Sequence, residues 1–207
     1  MHKQLYKKGK VIYIEGDTAE YFYISQNGWV KLFHQTIGGE EAIVDIIDGN
    51  NSFGEDAIFN NNRYTSSAEV VEDTELIMLP LSILKEQVNT NTSVAAAMLY
   101  SMSHHRKHQE LEIEHLALQS APQRIGCFLL KMCPTNKTSK IKLNLPYDKA
   151  LIASRLGMKS ETLSRALNTL RQEAGIRINN STIEIDDIER LTNFTCTCSL
   201  THPECKD

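Results

Sequence analysis

Glu161, Ser164 and Arg165 stand at positions i, i+3 and i+4 of Lys159-Ser160-Glu161-Thr162-Leu163-Ser164-Arg165. On a helix such residues share one face. Together they offer a carboxylate acceptor, a hydroxyl and a planar guanidinium. Arg bonds bidentately to guanine, Glu accepts from cytosine N4, and Ser contacts bases or phosphate. A second set stands at the C-terminal end, where Cys196, Cys198 and Cys205 surround His202. Three thiolates and an imidazole suit an iron–sulfur cluster, zinc or copper(I). A thiol redox switch, or a tail of free thiols, is the alternative. Four histidines, His104, His105, His108 and His115, form a third set. His104 and His108 have the i, i+4 spacing to share a metal, and an imidazole is a haem ligand. Solvated or seam-lining histidines are the plainer account.

The first set needs an element to present it. Leu163, Leu167 and Leu170 supply a buried face to a helix from about Lys159 to Glu173, which leaves Ser160, Glu161, Ser164 and Arg165 outward near its N-terminus. A shorter helix, Asp148 to Leu156, precedes it, with Asp148 as N-cap. Gly157 suits the tight turn between them. This is the helix-turn-helix pattern, whose second helix enters the major groove. Beyond Gly175, Ile176–Ile178 and Thr182–Ile185 flank Asn179-Asn180 and read as a hairpin, the wing of a winged helix. The competing account is a solvated face with a Glu161–Arg165 pair.

Charge favours the first account. The chain carries 22 Lys and Arg against 26 Asp and Glu, a net −4, so its whole surface does not suit nucleic acid. From Tyr147 to Ile178, however, six basic residues face three acidic ones. The positive charge is local.

Upstream the pattern differs. From Leu5 to about Leu81, β-branched and aromatic runs are broken by turns at Glu15-Gly16-Asp17, Gln26-Asn27-Gly28, Gly38-Gly39 and Asp48-Gly49-Asn50. This spacing predicts an all-β sandwich or barrel, with Asn27-Gly28 as a hairpin turn. Thr92 to Gln119 then lacks Gly and Pro and is rich in helix formers. A helix of that length spans ~40 Å. Val94, Met98, Met102, Ile113 and Leu116 suggest a dimer seam, interrupted at His105 and Gln109. A lone helix lying across the barrel is the alternative. Pro122 opens another helix, Gln123 to Met132, followed by a strand, Ile141–Leu145.

At 207 residues, 41% hydrophobic and 23% charged, the composition is that of a soluble globular protein. No apolar run is long enough for a membrane span and Met1-His2-Lys3-Gln4 is no signal peptide, so the expected compartment is the cytoplasm. Five cysteines, an odd number, argue against a disulfide framework. No metalloprotease HExxH, hydrolase GxSxG or phosphate loop is present, so no enzyme is expected.

The order barrel, long helix, winged helix resembles the Crp/Fnr family of bacterial transcription regulators. The likeness runs from Tyr6-Lys7-Lys8-Gly9-Lys10-Val11-Ile12-Tyr13-Ile14-Glu15-Gly16-Asp17 through Tyr23-Ile24-Ser25-Gln26-Asn27-Gly28-Trp29-Val30-Lys31 and Phe53-Gly54-Glu55 to Glu161-x-x-Ser164-Arg165. It implies an α+β fold in four parts. These are a cyclic-nucleotide-binding-type jelly-roll barrel (1–90), a dimerisation helix (91–120), a winged helix-turn-helix (121–192) and a Cys-rich tail (193–207). It implies a homodimer on palindromic DNA with TTGAT-like half-sites, with RNA polymerase as a partner. Lys159, Ser160, Glu161, Thr162, Ser164 and Arg165 are the implied reading residues. A hinge at Gln119-Ser120-Ala121 is the implied route from effector to DNA.

For the effector pocket the resemblance points to Gly54, Glu55, Arg63, Ser66, Ser67 and Gln109. The arginine that holds a cyclic phosphate in cAMP-binding relatives is replaced by Ser66, which disfavours cAMP. Arg63 is the nearest substitute. Fnr-like relatives point instead to an iron–sulfur tail, and gas-sensing relatives to haem. The rival reading is a cyclic-nucleotide- or metabolite-binding module without DNA readout.

Overall fold

The computed structural model describes residues 2–47, 49–133, 140–145, 149–179 and 182–195. Asp148 and Asn180, expected as a cap and a wing turn, lie outside them, as do Cys196, Cys198, His202 and Cys205. The chain divides into two compact units between Lys107 and His108, inside the long helix.

Among the described residues the first unit opens with eight strands: β1 (His2–Tyr6), β2 (Val11–Tyr13), β3 (Tyr21–Ser25), β4 (Trp29–Gln35), β5 (Glu41–Ile47), β6 (Ser52–Phe53), β7 (Ser67–Glu72) and β8 (Thr74–Pro80). They form two four-stranded sheets, ordered β1-β8-β3-β6 and β2-β7-β4-β5, a jelly roll. The turn at Asn27-Gly28 is therefore not a hairpin, because β3 and β4 lie in different sheets. Its geometry answers a tertiary need. The Asn27 side chain accepts the Glu75 amide at 2.8 Å. A Cβ on Gly28 would sit 2.7 Å from the Asp73 carbonyl. The corner is thus clamped to the β7–β8 corner beside it. The expected Gly38-Gly39 turn does join a paired hairpin, β4 to β5.

Tyr13, Tyr23, Phe53 and Tyr64 fill the sandwich with Val30, Ala68 and Leu76. Tyr13 and Tyr64 stack with ring centroids 3.6 Å apart. Burial pushes all three phenols up, so each stays neutral, and Tyr64 donates to the Tyr21 carbonyl at 2.6 Å.

Two helices follow. The first, α1 (Leu81–Thr90), has no counterpart among the elements expected from the sequence. It packs Leu81 into the barrel core. Asn91 separates it from α2 (Thr92–Leu118) and caps the latter, accepting from the Ser93 amide at 3.0 Å. Among the described residues no helix is long and apolar enough to cross a membrane.

The second unit holds the end of α2, then α3 (Ala121–Lys131), β9 (Ile141–Asn144), α4 (Lys149–Arg155), α5 (Ser160–Glu173), β10 (Ile176–Asn179), β11 (Thr182–Ile185) and α6 (Ile188–Thr195). A capping box joins Ser120 and Gln123 at the start of α3, with Pro in its first turn. The strands form one antiparallel sheet, β10-β11-β9. Ile125, Leu129, Ile152, Leu163, Leu167, Leu170, Ile183 and Leu191 make its core.

Candidate nucleic-acid interface and effector pocket

α4 and α5 are joined by Leu156-Gly157-Met158. Gly157 takes φ +62°, the left-handed conformation that its lack of a Cβ permits. The Met158 amide donates to the Ala153 carbonyl at 2.9 Å and closes the turn. α5 buries Leu163, Ala166, Leu167 and Leu170. Lys159, Ser160, Glu161, Ser164 and Arg165 are exposed, and Thr162 is half-buried at their edge. The expected outward row thus exists as one face. Ser160 opens the helix and Lys159 precedes it. Glu161 and Arg165 make no ion pair with each other among the described residues, so both ends remain available.

At its other end α5 is held by α6, an element absent from the sequence reading. Arg190 Nε donates to the Glu173 carbonyl at 2.8 Å and Nη2 to Gln172 at 3.4 Å. A cation there also suits the negative end of the helix dipole. In the expected wing, β10 pairs with β11 and Arg177 donates to Asp186. That bond holds the Asp186 carboxyl below its usual range.

The barrel residues are placed as follows. Gly54 takes φ +81° and opens the 3-10 turn Glu55–Phe59. Tyr64 and Tyr13 crowd the space a Cβ would occupy, at 3.1 and 3.4 Å. Glu55 accepts from the Ser52 hydroxyl at 3.0 Å. Its other oxygen is buried with no hydrogen-bond partner among the described residues. Burial is the main force raising the Glu55 carboxyl above its usual range. Ser66 and Ser67 are buried, and the Ser67 hydroxyl accepts the Glu15 amide at 3.0 Å.

One expected pocket residue is engaged by a neighbouring loop. Arg63 is exposed and its guanidinium donates to the Gly16 carbonyl at 2.6 Å. It is not turned to Ser66, because the neighbouring loop offers an acceptor first. Gln109 is exposed on α2 and belongs to the second unit.

For metals, no group of three or more His, Cys, Asp or Glu is gathered among the described residues. Cys127 is buried and Cys133 half-buried. His105 lies 3.8 Å from Asp45, His115 is buried, and the His108 side chain lies outside the described residues.

Two family models match. The cyclic nucleotide-binding domain covers residues 3–91 and the Crp-like helix-turn-helix domain residues 123–194. A crystallised protein of Ruegeria pomeroyi, provisionally named for cyclic nucleotide binding, is 32% identical. The match covers 95% of this chain and 86% of that one, with a TM-score of 0.71. The chain belongs to the Crp/Fnr family of transcription regulators. Curated relatives agree. The Cyclic AMP receptor protein of Thermus thermophilus is 27% identical over 88% of this chain and 83% of its own. The nitrogen fixation regulation protein FixK of Rhizobium meliloti is 27% identical over 91% and 85%. This Crp/Fnr regulator is a DNA-binding protein, and the module without DNA readout is set aside.

Proposed function

We propose that the regulator reads palindromic DNA with TTGAT-like half-sites, using Lys159, Ser160, Glu161, Thr162, Ser164 and Arg165 from each of two chains. One observation carries this reading. The exposed row at the start of α5 projects from a helix-turn-helix and is not consumed by pairing within the helix. Two chains would join along α2. Leu99, Met102, Ile113 and Leu116 are exposed there at spacings of three, eleven and three residues, and Arg106 and Gln109 complete a heptad row. Exposure favours a seam one residue from part of the expected stripe, since Val94 and Met98 are half-buried. RNA polymerase is the partner such a regulator would address, in the cytoplasm. Selection of duplexes from a random pool tests the reading. Two-fold symmetric sites with half-sites one helical turn apart are expected; recovered sequences without symmetry or consensus overturn it.

The barrel, as the effector domain, is proposed to respond to something other than cAMP. Gly54, Glu55, Ser66 and Ser67 offer hydroxyls and a carboxylate but no cation for a phosphate. The melting temperature should therefore be unchanged by saturating cAMP. A rise of several degrees would restore cAMP as effector.

A further inference from the structure

The last turns of α2 belong to the same unit as the helix-turn-helix, and they touch it directly. Arg155, at the end of α4, forks onto both carboxylate oxygens of Glu112. Nη1 donates to Oε2 at 3.0 Å and Nη2 to Oε1. The two side chains are only 20% and 31% exposed. One turn along α2, Leu116 backs onto the turn of the motif, where a Cβ on Gly157 would lie 2.9 Å from Leu116 Cδ2. Leu111 and His115 are buried on the adjoining face of α2. An exposed single-contact ion pair is worth little. A shielded bidentate fork differs, because two parallel bonds set orientation as well as distance.

We propose that Glu112 is a positioning residue for DNA reading. Through its fork with Arg155 it holds the helix-turn-helix against the end of α2. The angle at which α5 is presented then follows α2, and the Gln119–Ala121 link is not a free hinge. The sign of the effect separates this role from plain electrostatics. A carboxylate near DNA repels phosphate, so removing one that did nothing else would tighten binding.

The inference rests on reading by α5, and the test keeps the two apart. A duplex selected by the wild-type protein serves as probe; if none is selected, the reading itself fails before any variant is compared. Affinity and its salt dependence are then measured for Glu112→Gln, Arg155→Gln, Arg155→Lys and the reversed pair Glu112→Arg/Arg155→Glu. Glu112→Gln is expected to weaken binding by about tenfold with an unchanged salt slope, because no phosphate contact is lost. Arg155→Gln should match it, Arg155→Lys should lose less, and the reversed pair should recover most of the loss. Wild-type or tighter binding by Glu112→Gln overturns the proposal. So does an Arg155→Gln salt slope reduced by about one contact, which would make Arg155 a phosphate ligand. A Glu112→Gln protein that loses its far-ultraviolet helix signal is replaced by Arg155→Lys. Wild-type affinity in that variant overturns the proposal equally.

Discussion

At the residue scale, Arg165 has the exposure that its proposed reading role requires. It is exposed, one turn into α5, and carries no ion pair to its i−4 carboxylate. Its five donors are therefore committed to nothing on its own helix. Arg165→Ala should cost ~1–3 kcal/mol of specific binding and relax preference at one base pair. Anisotropy titrations against the selected site and its single-base variants measure both; equal losses at every variant would assign Arg165 to phosphate instead. Glu55 is the opposite case, a carboxyl kept from water. Its raised pKa means that the folded chain holds the proton more tightly than the unfolded one. Its contribution to stability is full below the unfolded value and is lost as pH rises through the folded value. Glu55→Gln should thus melt above the wild type at pH 8, with the gap closing below about pH 4. Parallel melting curves with no pH-dependent gap would show that burial does not strain this group.

At the element scale, the position of α5 depends on how closely α3 and α6 meet. Gly126 lies in mid-helix, where a glycine ordinarily weakens a helix. Here a Cβ would fall 1.8 Å from Thr195 Cγ2, and Thr195 is fully buried. Gly126→Ala gains helix propensity but overpacks this crossing, for a net loss of ~1–3 kcal/mol in denaturant unfolding. Adding Thr195→Ser removes the offending methyl and should restore most of the loss. A Gly126→Ala protein as stable as the wild type would mean that α6 yields freely. Because α6 also supplies Arg190 to the end of α5, the same substitution should weaken DNA binding as well.

At the scale of the whole molecule, α2 runs through the division between the two units. Leu99 and Ile113 are 68% and 66% exposed on α2, whereas Leu111 is 4% exposed. A helix that keeps large apolar groups in water on one side, after burying its other side, suits a second copy of itself. Ile113→Asp should shift sedimentation from the two-chain to the one-chain mass and abolish tight binding to a palindrome, while a single half-site is still bound weakly. A dimer that survives the change would move the interface off this seam.

Much of this was legible in the residues themselves. Leu163, Leu167 and Leu170 repeat with the helical period and Gly157 marks the turn, so the face of α5 follows from local geometry alone. The β-rich first half and the long helix follow likewise, since period and glycine placement are properties of neighbouring residues. Three things were decided only in three dimensions. Asn27-Gly28 reads as a hairpin because turn chemistry is local, yet which strands pair depends on the corner it meets, near Asp73 and Thr74. α6 is short and carries Thr and Asn, so its helix depends on burying Leu191 and Thr195 against α3. Arg63 is close to Ser66 in sequence, but its reach was claimed by the Gly16 carbonyl, 47 residues away. Periodicity reports what one segment prefers, while pairing, crossing and hydrogen-bond choice report which distant groups arrive beside it.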